Sequence, residues 1–260
     1  IYGSRDSNGV IIITTKKGRK GMPVQVSYNG NVTVSQKNGT LELMNADEYR
    51  SFIINHYGKD SDAAKALGTS NTDWQKEIYR TAISHDHNVA VQGAVKGLPY
   101  RVSVGYTGQQ GILKTTDFNR ATAAVNLNPS FFQDHLTLNL NAKGMYAETQ
   151  YANYAAISDA FRFDPTQSIY DSGEDAAHYG GYFQWKSKGG VTDIDPTYKT
   201  TYNNLAPGNP VAALDLHHEK AYSRSFVGSA DIDYKVHGFE DLRLHATLGA
   251  DISKGRQSKN

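Results

Sequence analysis

Cysteine is absent from the 260 residues, which excludes a disulfide framework and thiolate-ligated zinc. Proline is scarce at 7 and methionine at 3. No run of about 18 apolar residues occurs, so a transmembrane helix is excluded on length. An excess of one charge is missing too. The 27 basic and 26 acidic residues leave a net +1, and that balance does not call for nucleic acid as a partner. No initiator methionine or charged leader opens the chain, which is therefore expected to be an excerpt of a longer one. The mean hydropathy is that of a soluble protein, yet this leaves a membrane barrel open, because barrel strands dilute each apolar residue with a polar one.

Tyrosine (17) and glycine (24) are abundant, a mixture that favours β structure. Asn8-Gly9 suits a tight turn. Val10-Ile11-Ile12-Ile13 after it is continuous and β-branched, and reads as a strand buried on both faces. A basic linker, Lys16-Lys17-Gly18-Arg19-Lys20-Gly21, leads to a two-faced strand over Val24–Ser35. Period-two alternation returns over 87–95, 100–109, 121–128, 136–146, 222–236 and 242–252. Seven strands of roughly 9–15 residues exceed the usual 5–6 and match what a tilted bilayer crossing needs.

Between the strands the connections are long (36–84), short (96–99), moderate (110–117), short (129–135), very long (149–221) and short (237–239). Short turns on one side of a membrane and longer loops on the other are the habit of outer-membrane barrels. Helices are expected inside the long loops. Asn45 followed by Glu48 forms a capping-box pattern, and Gly58 is a natural terminator. Further short helices are expected over Ser61–Leu67, from about Asp73, and around Tyr154–Phe161.

Alternation alone does not separate a soluble sandwich, with its apolar face in a core, from a barrel, with its apolar face in lipid. Four features favour lipid: long strands, turns that alternate in length, tyrosines near strand ends (Tyr100, Tyr146, Tyr234), and charge on the polar face. Arg101, Lys143, Asp231, Asp233 and Arg243 all share that polar face and would line a lumen. A turn centred near Gly238 would set Asp233 opposite Arg243 and Asp231 opposite His245. Arg224 is the exception, since it shares parity with Phe226 near the outer end of its strand.

Chemistry-bearing motifs are few. The basic linker reads as a solvated connector more readily than as an anion site. His217-His218 with Glu219, and Asp193-Ile194-Asp195, read as loop chemistry more readily than as metal ligands. There is no nucleophile elbow, zinc-helix motif or phosphate loop, so no enzyme, metal or cofactor is expected. Tyr179, Tyr182, Phe183 and Trp185, with Tyr198 and Tyr202, concentrate in the longest loop. Exposed rings beside polar groups suit stacking on sugars or peptide side chains, and packing of the loop itself is the alternative. Trp74 and Tyr79 carry the same two readings.

Tyr2-Gly3-Ser4-Arg5, Asn8-Gly9-Val10-Ile11 and Ile13-Thr14-Thr15-Lys16-Lys17-Gly18 resemble the end of the plug domain of TonB-dependent outer-membrane transporters of the SusC/RagA type. The resemblance continues through Asn71-Thr72-Asp73-Trp74-Gln75, His85-Asp86-His87-Asn88-Val89, Gly105-Tyr106, Gly111-Ile112-Leu113-Lys114 and Asn119-Arg120. It implies an all-β chain: the last plug strand and linker (1–21), then the first seven strands of an incomplete antiparallel transmembrane barrel (22–260) with helical segments in extracellular loops. It also implies import of glycan or peptide oligomers across the outer membrane of a Gram-negative, Bacteroidetes-like cell. The implied partners are a SusD-like surface lipoprotein, the TonB energy-coupling complex and outer-membrane lipid. A secreted soluble β-sandwich for glycan binding or adhesion is the competing expectation.

Overall fold

The computed structural model of the protein describes residues 18–188 and 200–259. The buried strand expected at Val10–Thr15, the pair Lys16-Lys17, and Asp193, Asp195 and Tyr198 lie outside the described residues.

Alternating side chains over long runs give one large antiparallel meander. Its strands, in both chain order and sheet order, are β1 (Gln25–Ser35), β2 (Ala82–Val95), β3 (Leu98–Gln110), β4 (Asp117–Leu127), β6 (Leu136–Tyr151), β9 (Glu219–Lys235) and β10 (Arg243–Lys259). A two-residue piece, β5 (Ser130–Phe131), pairs with the start of β6. The first and last strands of this path do not meet, so the sheet is open. Between β1 and β2 lie helices α1 (Ala46–Tyr57), α2 (Asp62–Lys65) and α3 (Trp74–Ile78). Between β6 and β9 lie α4 (Ala155–Arg162), a 3-10 turn (Ala176–Tyr179), a small hairpin of β7 (Lys186–Lys188) with β8 (Thr200–Tyr202), and α5 (Pro210–Asp215).

The expected capping box is present. Asn45 Oδ1 accepts from the backbone of Asp47 and Glu48, and Glu48 Oε2 accepts from the Asn45 amide. Such a cap contributes about 1 kcal/mol, enough to set where α1 begins. Gly58 ends it at φ +92°. Asp73 caps α3 through the amide of Lys76. Asn209 caps α5 in the same way, with Pro210 following at the first turn, a start signal the sequence reading passed over.

Three corrections concern connections. The 96–99 connection narrows to two residues, Lys96 and Gly97. Both have positive φ, as a tight hairpin turn matching strand twist requires, so Leu98 and Pro99 belong to β3. The 110–117 connection is a six-residue turn, 111–116, longer than the 96–97 turn at the opposite end but shorter than the connections at 128–135 and 236–242 there. It is held by Arg80, whose guanidinium donates to Gly111 O and Thr116 O and meets Asp117 at 3.0 Å. The last hairpin centres one residue later than expected. Val236 and Leu242 close it, so Arg243 faces Lys235, His245 faces Asp233 and Thr247 faces Asp231.

The registers line up whole rows of side chains. Val26, Val91, Val102, Val125, Ala142, Gly228 and Ala250 form one row, and Tyr28, Val89, Val104, Ala123, Gly144, Phe226 and Ile252 the next. These apolar rows are open to the outside: Val26 is 69% exposed and Ile252 64%. A sandwich would lay a second sheet on this face, and among the described residues none lies there. Ten residue steps separate Leu136 from Tyr146. At about 3.3 Å each and a tilt of about 40° they project to roughly 25 Å, the height of a lipid-facing band.

The buried core lies elsewhere. Trp74, Ile78, Leu113, Ala152, Ala156, Ala160, Phe163, Val211 and Leu214 pack together at the loop end of the sheet. The two long connections thus cover each other. Backbone bonds from Ser70 to Thr166 and from Thr72 to Pro165 fasten them, and Trp74 Nε1 donates to Asp164 O at 3.0 Å.

Candidate functional site in the loop layer and on the polar wall

The aromatic cluster is built on this loop core. Trp74, Phe163, Phe183 and Trp185 form an edge-to-face chain with centroid separations of 4.7, 6.2 and 5.4 Å. Each such pair adds about 0.5–1.5 kcal/mol beyond burial. Tyr182, Phe183 and Trp185 are half-buried and pack against the core, so both expected roles, packing and an accessible ring edge, are open to them. Tyr182 Oη donates to Asp215 Oδ2 at 2.9 Å and its ring lies 5.3 Å from that of Tyr170. Burial, and then the Asp215 carboxylate, push the Tyr182 phenol up to about 12. Lys186 Nζ sits 5.3 Å above the Tyr179 ring and 2.9 Å from Asp171. That ammonium, with the Gly173 amide, holds the Asp171 carboxyl below the usual range. Tyr202 belongs to β8, and its phenol is raised by burial and by Asp159.

A cavity of about 460 Å³ opens beside the cluster, a feature the sequence reading did not anticipate. Leu41, Met44, Tyr49, Trp74, Phe161 and Phe163 give it an apolar lining. Its rim is held by Gln75, which accepts from the Leu41 amide at 3.0 Å and donates to Leu41 O at 2.8 Å. The available signal was Leu41-Glu42-Leu43-Met44, three apolar residues in four directly before a helix cap.

On the polar face hydrogen bonds run from strand to strand. Arg101 donates to Gln92 Oε1 (2.7 Å), and Gln92 donates to Gln25 (3.1 Å). Asn126 donates to Asn139 and Asn141, and Asn139 donates to Asp231 Oδ2 at 2.8 Å. Thr247 donates to the other Asp231 oxygen at 2.9 Å. Asp233 stands 3.9 Å from His245. Lys143 shares this face in the row with Ser103 and Ala124, and Arg243 sits opposite Lys235 rather than Asp233. The structure therefore gathers Asp231 and Asp233 at one end and keeps Arg101 and Lys143 apart from them. Two more charges join the wall: Asp86 accepts from Thr107 (2.5 Å), and Arg120 donates to the same hydroxyl (3.3 Å). Both lie just before the expected starts of alternation at 87 and 121.

The end of the basic linker crosses this polar face at the short-turn end. Gly18, Arg19 and Lys20 line a cavity of about 560 Å³ with Asn139, Asp231, Asp233 and Asp134. Lys20 is ion-paired with Asp134. A Cβ at Gly18 would come within 3 Å of Tyr100 O and Gly93 O, so only glycine permits this close approach. His217 Nε2 lies 3.2 Å from Glu219, which also meets Lys259. Among the described residues no group of three or more His, Asp or Glu could hold a metal ion.

No family model matches the chain. It is 49% identical over 260 residues to the TonB-dependent receptor SusC of Bacteroides thetaiotaomicron, covering 99% of this chain and 26% of that receptor. A TonB-dependent receptor of Formosa agariphila is 24% identical over the whole chain and 24% of its own length. Among solved structures, the RagAB peptide transporter matches with a TM-score of 0.70 at 20% identity, over 99% of this chain and 31% of that one. The RagAB peptide importer in its closed-closed state matches at 0.65. The chain thus spans about a quarter of the length of the curated relatives named.

Proposed function

Because the chain belongs to the SusC/RagA type of TonB-dependent receptor, we propose that it supplies the first seven wall strands of an outer-membrane importer for glycan or peptide oligomers. In this reading residues 1–21 are the end of a plug and its linker, and 22–260 begin the barrel around it. The observation that carries it is the inversion of burial. A long apolar sheet face stands open while the polar face is cross-linked by hydrogen bonds and crossed by the linker. Such a sheet is stable where lipid meets the apolar rows and water the polar ones.

The mechanism is physical rather than covalent. Tyr179, Tyr182, Phe183 and Trp185 present ring edges at the loop end and capture substrate. The wall charges Arg101, Lys143, Asp231, Asp233 and Arg243, with Asp86 and Arg120, give a wet path in which hydrogen bonds are exchanged rather than lost. A SusD-like lipoprotein closes the loop end, and the TonB complex moves the plug. The setting is the outer membrane of a Gram-negative, Bacteroidetes-like cell.

The test uses the full-length receptor. It should fractionate with outer membrane and run as a compact band in detergent gels until heated. Y182A/W185A should weaken binding of either an oligosaccharide or an oligopeptide panel about tenfold or more, as loss of stacked rings at a contact centre does. Unchanged affinity for both panels at normal surface expression removes the capture role. A receptor that is soluble without detergent removes the barrel reading and returns the sandwich.

A further inference from the structure

One part of the outward face breaks the apolar pattern. One row beyond Phe226 and Ile252, Arg224 sits directly opposite Lys254 on one side and Tyr146 on the other. One row further, Arg256 sits opposite Tyr222, which is opposite Glu148. Lys220 shares the face and is ion-paired with Glu148 at 3.1 Å, so that carboxylate is already neutralised. Among the described residues no carboxylate is ion-paired with Arg224, Lys254 or Arg256. Arg224 instead lies 5.5 Å from the Tyr146 ring. All three cations are exposed.

Two like charges held opposite each other across a strand pair repel. With strands about 4.8 Å apart and rows about 6.7 Å apart, three positive side chains converge within the reach of one or two phosphate groups. Arg224 and Lys254 stand in the Tyr106–Tyr146 row, where the apolar band ends at its loop side, and Arg256 stands one row past it. On the opposite sector the same row carries His87, bonded to Tyr28 at 2.7 Å, and Tyr106, stacked on His85, and neither Lys nor Arg. Among the described residues, the Arg and Lys of this outward face are thus confined to the β9–β10 sector.

We propose that Arg224, Lys254 and Arg256 form a binding site for the phosphate of an anionic lipid in the outer leaflet. Its acyl chains lie over Phe226, Leu248 and Ile252. Guanidinium groups take phosphate oxygens in bidentate fashion, and Lys254 adds a point charge between them. The lipid offsets a repulsion that the described residues leave uncompensated, and it ties this sector to a fixed depth. The site rests on the reading of this face as lipid-facing, which the detergent-gel band tests separately.

The experiment takes the full-length receptor and mixes it with phosphatidylcholine vesicles doped with lipid A, either phosphorylated or with its phosphates removed. Lipid retained per receptor after detergent washing is then measured by mass spectrometry. Wild type should retain the phosphorylated form roughly tenfold better, as several charge-assisted hydrogen bonds require. R224Q/K254Q/R256Q should fall to the dephosphorylated level, and K59Q/K65Q, on the loop layer, should behave as wild type. Equal retention by the triple variant, or equal retention of both lipid forms by wild type, overturns the proposal. So does complete displacement of lipid by inorganic phosphate, which would make the cations a site for a free anion. Should the triple variant fail to give the compact band, K254Q and R256Q alone should each lose about two- to threefold, and unchanged retention in both is equally decisive. A wild-type receptor that never gives that band refutes the barrel reading itself.

Discussion

Tyr182 illustrates how much one side chain can depend on partners far away in sequence. Its hydroxyl meets Asp215, 33 residues on, and its ring meets Tyr170. The parity and turn rules that locate strands say nothing about such a loop contact. A phenol whose folded pKa lies above its ordinary value of about 10 stabilises the fold fully below that pH. The contribution is lost as pH rises through about 12. Protease resistance of the loop layer should therefore differ between wild type and Y182F by a constant amount up to pH 10. The difference should vanish on approach to pH 12, and a difference already gone by pH 9 would refute the assignment. Asn45 is the contrasting residue. Its role is local, visible in the spacing to Glu48, and present as expected. Trp185 lies between the two: its aromatic character was visible, but its half-buried position against Phe183 was not.

At the scale of elements, strands were more legible than their ends. Period-two alternation located all seven, since a half-buried strand must sort its side chains by face. The ends moved because backbone pairing continues past the last alternating residue. β2 starts at Ala82, not His87, and brings Asp86 onto the wall. The shifted β9–β10 register has a separate origin: the turn chemistry of 236–242 sets the pairing, and charge complementarity yields to it. Face assignment itself makes a strong prediction. Val102 lies in the middle of the apolar band, with Val91 and Val125 on either side. V102K should cost about 2–4 kcal/mol and sharply reduce the compact detergent-gel band of the full-length receptor. S103K, one residue away on the polar face, should leave the band at wild-type intensity. Similar losses in both variants would refute the assignment of faces.

For the molecule as a whole, two stabilising systems stand side by side: a wall held by strand ladders and, in the proposed setting, by lipid, and a loop layer held by its own small core. They should fail separately. W74A removes the ring that joins α3 to Phe163 and Asp164, and should destabilise the loop layer by about 3–5 kcal/mol. Thermolysin should then cut within 36–81 or 152–218 while the heat-sensitive band persists. Joint loss of band and loop protection would mean a single cooperative unit. The meander, its two faces, the starts of α1 to α3 and its kinship were determined by sequence alone, because each rests on short-range periodicity, capping or contiguous motifs. Only the tertiary structure decided that the core lies in the loops, that a cavity opens beneath Leu41 and that three cations converge above the apolar band. Those features arise where residues distant in the chain are brought together by register and docking, and no local pattern encodes them.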